Sequence, residues 1–257
     1  MSTFILMSMM FRVLLVFSML LNFYRFNAQS LVLIQVPSVE GETDYIWRTI
    51  QDIEFFEKNN YQVSLPDHEL IEKLKKKSRS GSLTNADYRE LKFLMVETIY
   101  DQTDYSKGHE KVENEAALLN RMISELKNTK YNWVFKSFEQ YTVNLTLYGP
   151  GGSYNPEEGS ILIFTTPSGG FKRYENPVNT IIHEIVHIGI EDSIIAKYSV
   201  SHSLKERIVD TFVKLTFGTF LPKYRVQDMG ESRSDRFLNA RSDLIDLDQK
   251  VQQILED

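Results

Sequence analysis

An α+β fold is predicted: a mostly helical domain with a small β-sheet placed just ahead of one strongly apolar helix near residue 180. Three observations predict it. Apolar residues between 44 and 127 recur at the three- and four-residue spacing of helices. At 141 the texture changes to alternation and short β-branched runs bounded by glycine and proline. From 176 the helical spacing returns.

The first 28 residues stand apart, with no acidic group and an apolar run, Val13 to Leu21, preceded by Arg12 and followed by Asn27-Ala28. That is the basic, apolar, small-residue order of a secretory signal peptide, expected to span 1–28. Phe26 fits poorly three residues before the cut, and a start at Met9 or Met10 would suit Arg12 better, so the cleavage site and start codon stay open. The apolar run is short for a full span, so no stable membrane span is expected after cleavage. A secreted or periplasmic protein is the expectation.

Residues 29–257 are expected to form one domain, with a helical part over 29–140 and a sheet plus helices over 141–257. The composition, 42% hydrophobic and 25% charged, is that of a globular chain rather than a disordered one. Removing 1–28 removes Arg12 and Arg25 and no carboxylate, so the charge becomes 27 − 35 = −8. That acidic balance argues against a nucleic-acid surface. There is no cysteine, so the fold relies on its core, and a lipid-anchored start lacks its thiol. A monomer is expected.

Leu31 to Pro37 is predicted as a short strand. Ile46, Ile50, Ile53, Phe55 and Phe56 predict a helix over about 44–59, and Pro66-Asp67 opens another that runs out in Lys75 to Gly81. That basic stretch is expected to be a solvated helix end. Thr84 to Asp87 caps a helix carrying Leu91, Leu94, Val96 and Ile99, and a further helix is predicted over 111–127. Tyr141 to Leu147 and Ile161 to Phe164 are predicted strands, separated by the Gly149-Pro150-Gly151-Gly152 loop. Three helices follow, over about 176–193, 201–217 and 232–257.

His183-Glu184-Ile185-Val186-His187 lies on the first of these three. Residues four apart share a helix face, so the two imidazoles can meet one ion while Glu184 reaches a water bound to it. Val178, Ile181, Ile182, Ile185 and Ile188 form an apolar stripe, leaving Thr180, His183, Glu184, His187 and Glu191 on the other side. A hydrolytic zinc site needs a third protein ligand and an open position. Glu206, on the next helix, is the favoured third ligand, with Asp210 one turn later as a partner for the outer nitrogen of a ligand histidine. His202 is the rival. Glu191 is disfavoured, because 183, 187 and 191 spread along roughly 12 Å of helix axis.

His183, Glu184, His187, Glu206 and Asp210 together resemble the glutamate-zincin metallopeptidases, whose pattern is His-Glu-x-x-His followed on a later helix by Glu-x-x-x-Asp. The resemblance covers about a third of the chain, and Ser193 excludes the variant with a third histidine. It implies a zincin-like domain, a Zn²⁺ cofactor held by His183, His187 and Glu206, Glu184 as catalytic base, and a peptide or protein substrate. It also implies a strand that pairs with the substrate, for which 160–166 is the matching segment. Tyr198, His202, Arg233 and Arg236 are candidate donors to the oxyanion by position. The competing expectation is an exported zinc-binding or interaction protein on the same scaffold without catalysis.

Overall fold

The computed structural model describes residues 30–171, 176–226 and 230–257, so the expected signal peptide lies outside the described residues. Leu31–Asp257 forms one compact unit. The fold class is α+β, as predicted.

The sheet has four strands in the order β1-β2-β4-β3: β1 (Val32–Gln35), β2 (Tyr141–Thr146), β4 (Ser160–Phe164) and β3 (Ser153–Asn155). β1 and β4 both run parallel to β2, with Val32 opposite Tyr141 and Val143 opposite Ile161. β3 is antiparallel to β4, with Tyr154 opposite Ile161. The alternation that predicted β2 is its burial pattern, since Tyr141, Val143 and Leu145 face the core, and within the apolar run that predicted β4, Ile161 and Ile163 do the same. β3 was not predicted. A three-residue Ser-Tyr-Asn strand carries no alternation, and only its ladder to β4 defines it. Its presence corrects the substrate-strand expectation for the start of 160–166: Ser160–Leu162 is paired on both sides, whereas Ile163 and Phe164 ladder only with β2 among the described residues.

The helical part is built from α1 (Val39–Gln51), α2 (Ile53–Lys58), α3 (Glu69–Arg79), α4 (Asn85–Leu94), α5 (Ser106–Asn114) and α6 (Ala116–Asn128). The helix expected over 44–59 starts earlier, where the Ser38 hydroxyl accepts from Gly41 N–H, and it breaks at Asp52. The helix expected over 111–127 is likewise two, meeting at Glu115. Thr84 and Asp87 form the reciprocal cap that opens α4. The basic end of α3 is spent on ion pairs, Lys75 with Glu72, Lys77 with Asp87 and Arg79 with Glu57.

The division at 140 does not hold in packing. α1, α3 and α4 enclose a small core of Ile46, Ile50, Ile71, Leu74, Leu91 and Met95. β1 and α6, by contrast, join the main core with the sheet and the C-terminal helices α7 (Val178–Ile190), α8 (His202–Phe217) and α9 (Leu247–Glu256). The helix predicted from 232 forms only at Leu247; before it run two short 3₁₀ turns.

Glu42 of α1 is buried at the junction of these cores, accepting hydrogen bonds from Tyr105 Oη (2.7 Å), Thr146 Oγ1 (3.0 Å) and Leu147 N–H (3.0 Å). Burial raises its pKa, and the three donors offset that only in part. A raised folded pKa favours the protonated form, so this contribution to stability is complete below the unfolded carboxylate pKa and is lost as pH rises through the folded one. Glu42→Gln is therefore expected to gain stability relative to wild type as pH rises from about 4 to 8, the window above the ordinary carboxylate pKa. Paired thermal melts at the two ends of that window check it; a difference in Tm that does not move with pH would contradict it.

Candidate metal centre

α7 positions the site. Its apolar residues face the sheet and α6, as the stripe predicted, but the polar side is buried too: of Val178–Ile190 only Thr180 is not. The helix runs through the middle of the domain, and its histidines are covered by α8 and β3 rather than by solvent.

His183, His187 and Glu206 converge. His183 Nε2 and His187 Nε2 lie 3.0 Å apart, and each lies 3.4 Å from a different oxygen of Glu206. One donor atom from each residue fits within 4.8 Å of the others. α8 delivers Glu206 because the Ser201 hydroxyl caps it and Leu204, Ile208 and Phe212 lock its inner face into the core. Asp210, fully buried one turn on, receives Tyr224 Oη–H at 2.6 Å and lies 3.2 Å from His183 Nδ1. Tyr224 Oη is also 2.8 Å from His183 Nδ1, so that nitrogen has a carboxylate and a phenol oxygen to donate to. This directs the Nε2 lone pair of His183 into the cluster.

The electrostatics follow from burial and these contacts. Burial opposes a charge on His183, but bonds to Asp210 and Glu206 and the nearby Glu184 charge outweigh it and push its pKa up to about 10. His187 has weaker compensation and burial pushes it down to about 4. Burial alone would raise Glu206, yet its bonds to the two imidazoles hold it well below the usual carboxylate range. Three electron-pair donors are thus packed close enough to share a cation, either a proton or a metal ion.

Glu184 is 8% exposed, between the cluster and the glycine loop. A Cβ on Gly152 would lie 2.7 Å from Glu184 Oε1 and 3.1 Å from Thr180 Cγ2, so any larger residue there would push the Glu184 carboxylate aside. Gly149 fixes the same loop from its other end, at φ +92° against the Tyr45 ring.

The remaining candidates separate. His202 begins α8, 59% exposed at the side chain, with Nδ1 3.7 Å from Glu206 Oε1; it flanks the cluster but is outside the converging trio. Tyr198 is corrected: its hydroxyl lies 2.9 Å from Asp248 Oδ1 and 2.6 Å from Gln252 Nε2, which ties it to α9 rather than to the cluster. Arg233 Nε lies 2.9 Å from Glu231, Arg236 pairs with Asp257, and no described contact brings either to the cluster. Glu191 is not a ligand either, since α7 gives way there to a wider π-type turn and the carboxylate accepts from Tyr154 Oη.

Tyr224, Tyr154 and Gly152 are site residues the sequence did not reveal. Tyr224 follows the end of α8 in a non-helical stretch with no spacing rule, and Tyr154 lies on the unpredicted β3. Gly152 carried a signal, the glycine-rich loop, without a stated partner. No family model, curated protein or solved structure matches the chain significantly.

Proposed function

We propose that this protein is an exported zinc-dependent hydrolase that cleaves peptide bonds, with His183, His187 and Glu206 holding the metal. The convergence of those three donor atoms carries the reading. Tetrahedral zinc with ligands at 2.0–2.1 Å spaces its ligand atoms roughly 3.3 Å apart; here the two imidazole nitrogens are 3.0 Å apart, and each lies 3.4 Å from its own oxygen of the Glu206 carboxylate. Two imidazoles and a carboxylate are also the donor set of hydrolytic zinc sites. The resemblance to glutamate-zincins rests on the same residues, and the leader-like pattern of 1–28 supports export.

Zinc bound there would acidify a coordinated water and polarise the substrate carbonyl. The chain's own residues do the rest. Asp210 and Tyr224 orient His183. Glu184, held beneath Gly152, takes a proton from the attacking water and returns it to the leaving amine. His202, at the exposed margin of the cluster, is the candidate placed to donate to the oxyanion.

Measured zinc content and cleavage of a peptide library, with and without chelator, test the proposal together; zinc-free protein of full activity would sink it. Two further outcomes follow from the geometry. Asp210→Asn is expected to weaken zinc binding about 10- to 100-fold, the usual effect of removing an outer partner of a ligand histidine, read by competition with a chromophoric chelator. Gly152→Ala is expected to retain zinc and lose activity by up to about 10²-fold, because displacing Glu184 by an ångström misplaces the base.

One observation favours a second reading, a zinc-binding protein without catalysis. His183, Glu184, His187 and Glu206 are each no more than 8% exposed, which suits a closed structural site. Stoichiometric zinc with no hydrolysis of any peptide would select it.

A further inference from the structure

The ring of Tyr154 stacks on the His187 imidazole, with centroids 4.8 Å apart and planes within 6° of parallel. Its hydroxyl is held at two points, donating to Glu191 Oε2 at 2.7 Å and accepting from Lys205 Nζ at 2.9 Å. Lys205 and Glu191 also pair with each other at 3.8 Å, and both are largely withdrawn from solvent. The two anchors come from the elements that carry the ligands: Glu191 lies one turn beyond His187, and Lys205 immediately precedes Glu206. The clamp therefore ties edge strand β3 to both ligand-bearing segments.

His187 lacks what His183 has. Its Nδ1 is buried and makes no hydrogen bond among the described residues, whereas His183 Nδ1 meets Asp210 and Tyr224. A ligand histidine is ordinarily oriented through its outer nitrogen, which fixes the ring plane and aims the inner lone pair at the metal. With that bond missing, rotation about χ2 would swing Nε2 off the shared point.

We propose that Tyr154 is the positioning residue for His187, its ring fixing the imidazole plane by stacking and its hydroxyl holding that ring in place through Glu191 and Lys205. The inference rests on the zinc-site reading and deepens it. Each of the two metal histidines then has its own device: a hydrogen-bonded carboxylate and phenol for His183, and an anchored aromatic face for His187. The same ring stands where β3 meets the cluster, so one side chain links the strand to the ligand's orientation.

The test compares full-length wild type with Tyr154→Leu, Tyr154→Phe and Lys205→Met, measuring Zn²⁺ affinity by chelator competition and the visible spectrum of the Co²⁺-loaded proteins. Tyr154→Leu is expected to lose roughly 10- to 100-fold in zinc affinity and to shift the cobalt bands, since the ligand field changes when His187 tilts. Tyr154→Phe keeps the ring and should recover most of that loss, and Lys205→Met should fall between. Tyr154→Leu within twofold of wild type with a superimposable cobalt spectrum overturns the inference while leaving the zinc site standing. So does Tyr154→Phe behaving like Tyr154→Leu. If Tyr154→Leu does not fold, Lys205→Met and Glu191→Gln decide, and unchanged cobalt spectra in both overturn it. Wild type that takes up no zinc overturns the inference and the metal-site reading together.

Discussion

Glu184→Gln is expected to bind zinc as tightly as wild type and to lose about 10²- to 10⁴-fold in peptide hydrolysis, the span attributed to a positioned general base. The substitution keeps volume and shape beneath Gly152, where a Cβ would crowd Oε1, so the fold is expected to be retained. What disappears is the capacity to accept a proton. Glu184 contributes no atom to the converging trio, which is why metal affinity and activity should separate in this variant. Steady-state turnover and zinc stoichiometry on the same preparation read both. Equal activity in the variant would remove Glu184 from the chemistry and favour the non-catalytic reading.

Glu206→Gln is the second large expectation, and it strikes the metal. Structural zinc sites are worth about 10–16 kcal/mol in total. Losing one of three protein ligands should then cost roughly 4 kcal/mol, about a thousandfold in affinity. Glutamine fills the same space in α8 but is a poor zinc ligand. His202→Ala supplies the control, because His202 is exposed and 3.7 Å from Glu206 without joining the trio. It is expected to leave zinc affinity nearly unchanged. A reversal of those two outcomes would make His202 the third ligand.

The trio and its carboxylate partner were legible because helix geometry turns sequence spacing into position. His183 and His187 share a face at four residues apart, and so do Glu206 and Asp210; the structure brings the two pairs together. The α+β class was legible for a similar reason, since alternation in 141–147 and helical spacing elsewhere report burial directly. What escaped the sequence depends on tertiary contact. β3 is three residues long and exists by pairing with β4. Tyr154 and Tyr224 reach the centre from non-helical segments, where no period predicts direction. The breaks at Asp52 and Glu115 fall inside runs whose apolar spacing continues across them, so periodicity alone extends one helix over two. Tyr198 was misassigned by proximity in sequence: it lies near α8, but its hydroxyl turns toward Asp248 on α9.

The central claim is that His183, His187 and Glu206 hold one zinc ion. Crystals grown with zinc and measured at the zinc absorption edge test it most directly. The account predicts a single strong anomalous peak within about 2.0–2.2 Å of His183 Nε2, His187 Nε2 and a Glu206 carboxylate oxygen. An empty position between those three side chains in a zinc-saturated crystal, with any zinc bound elsewhere, would contradict it.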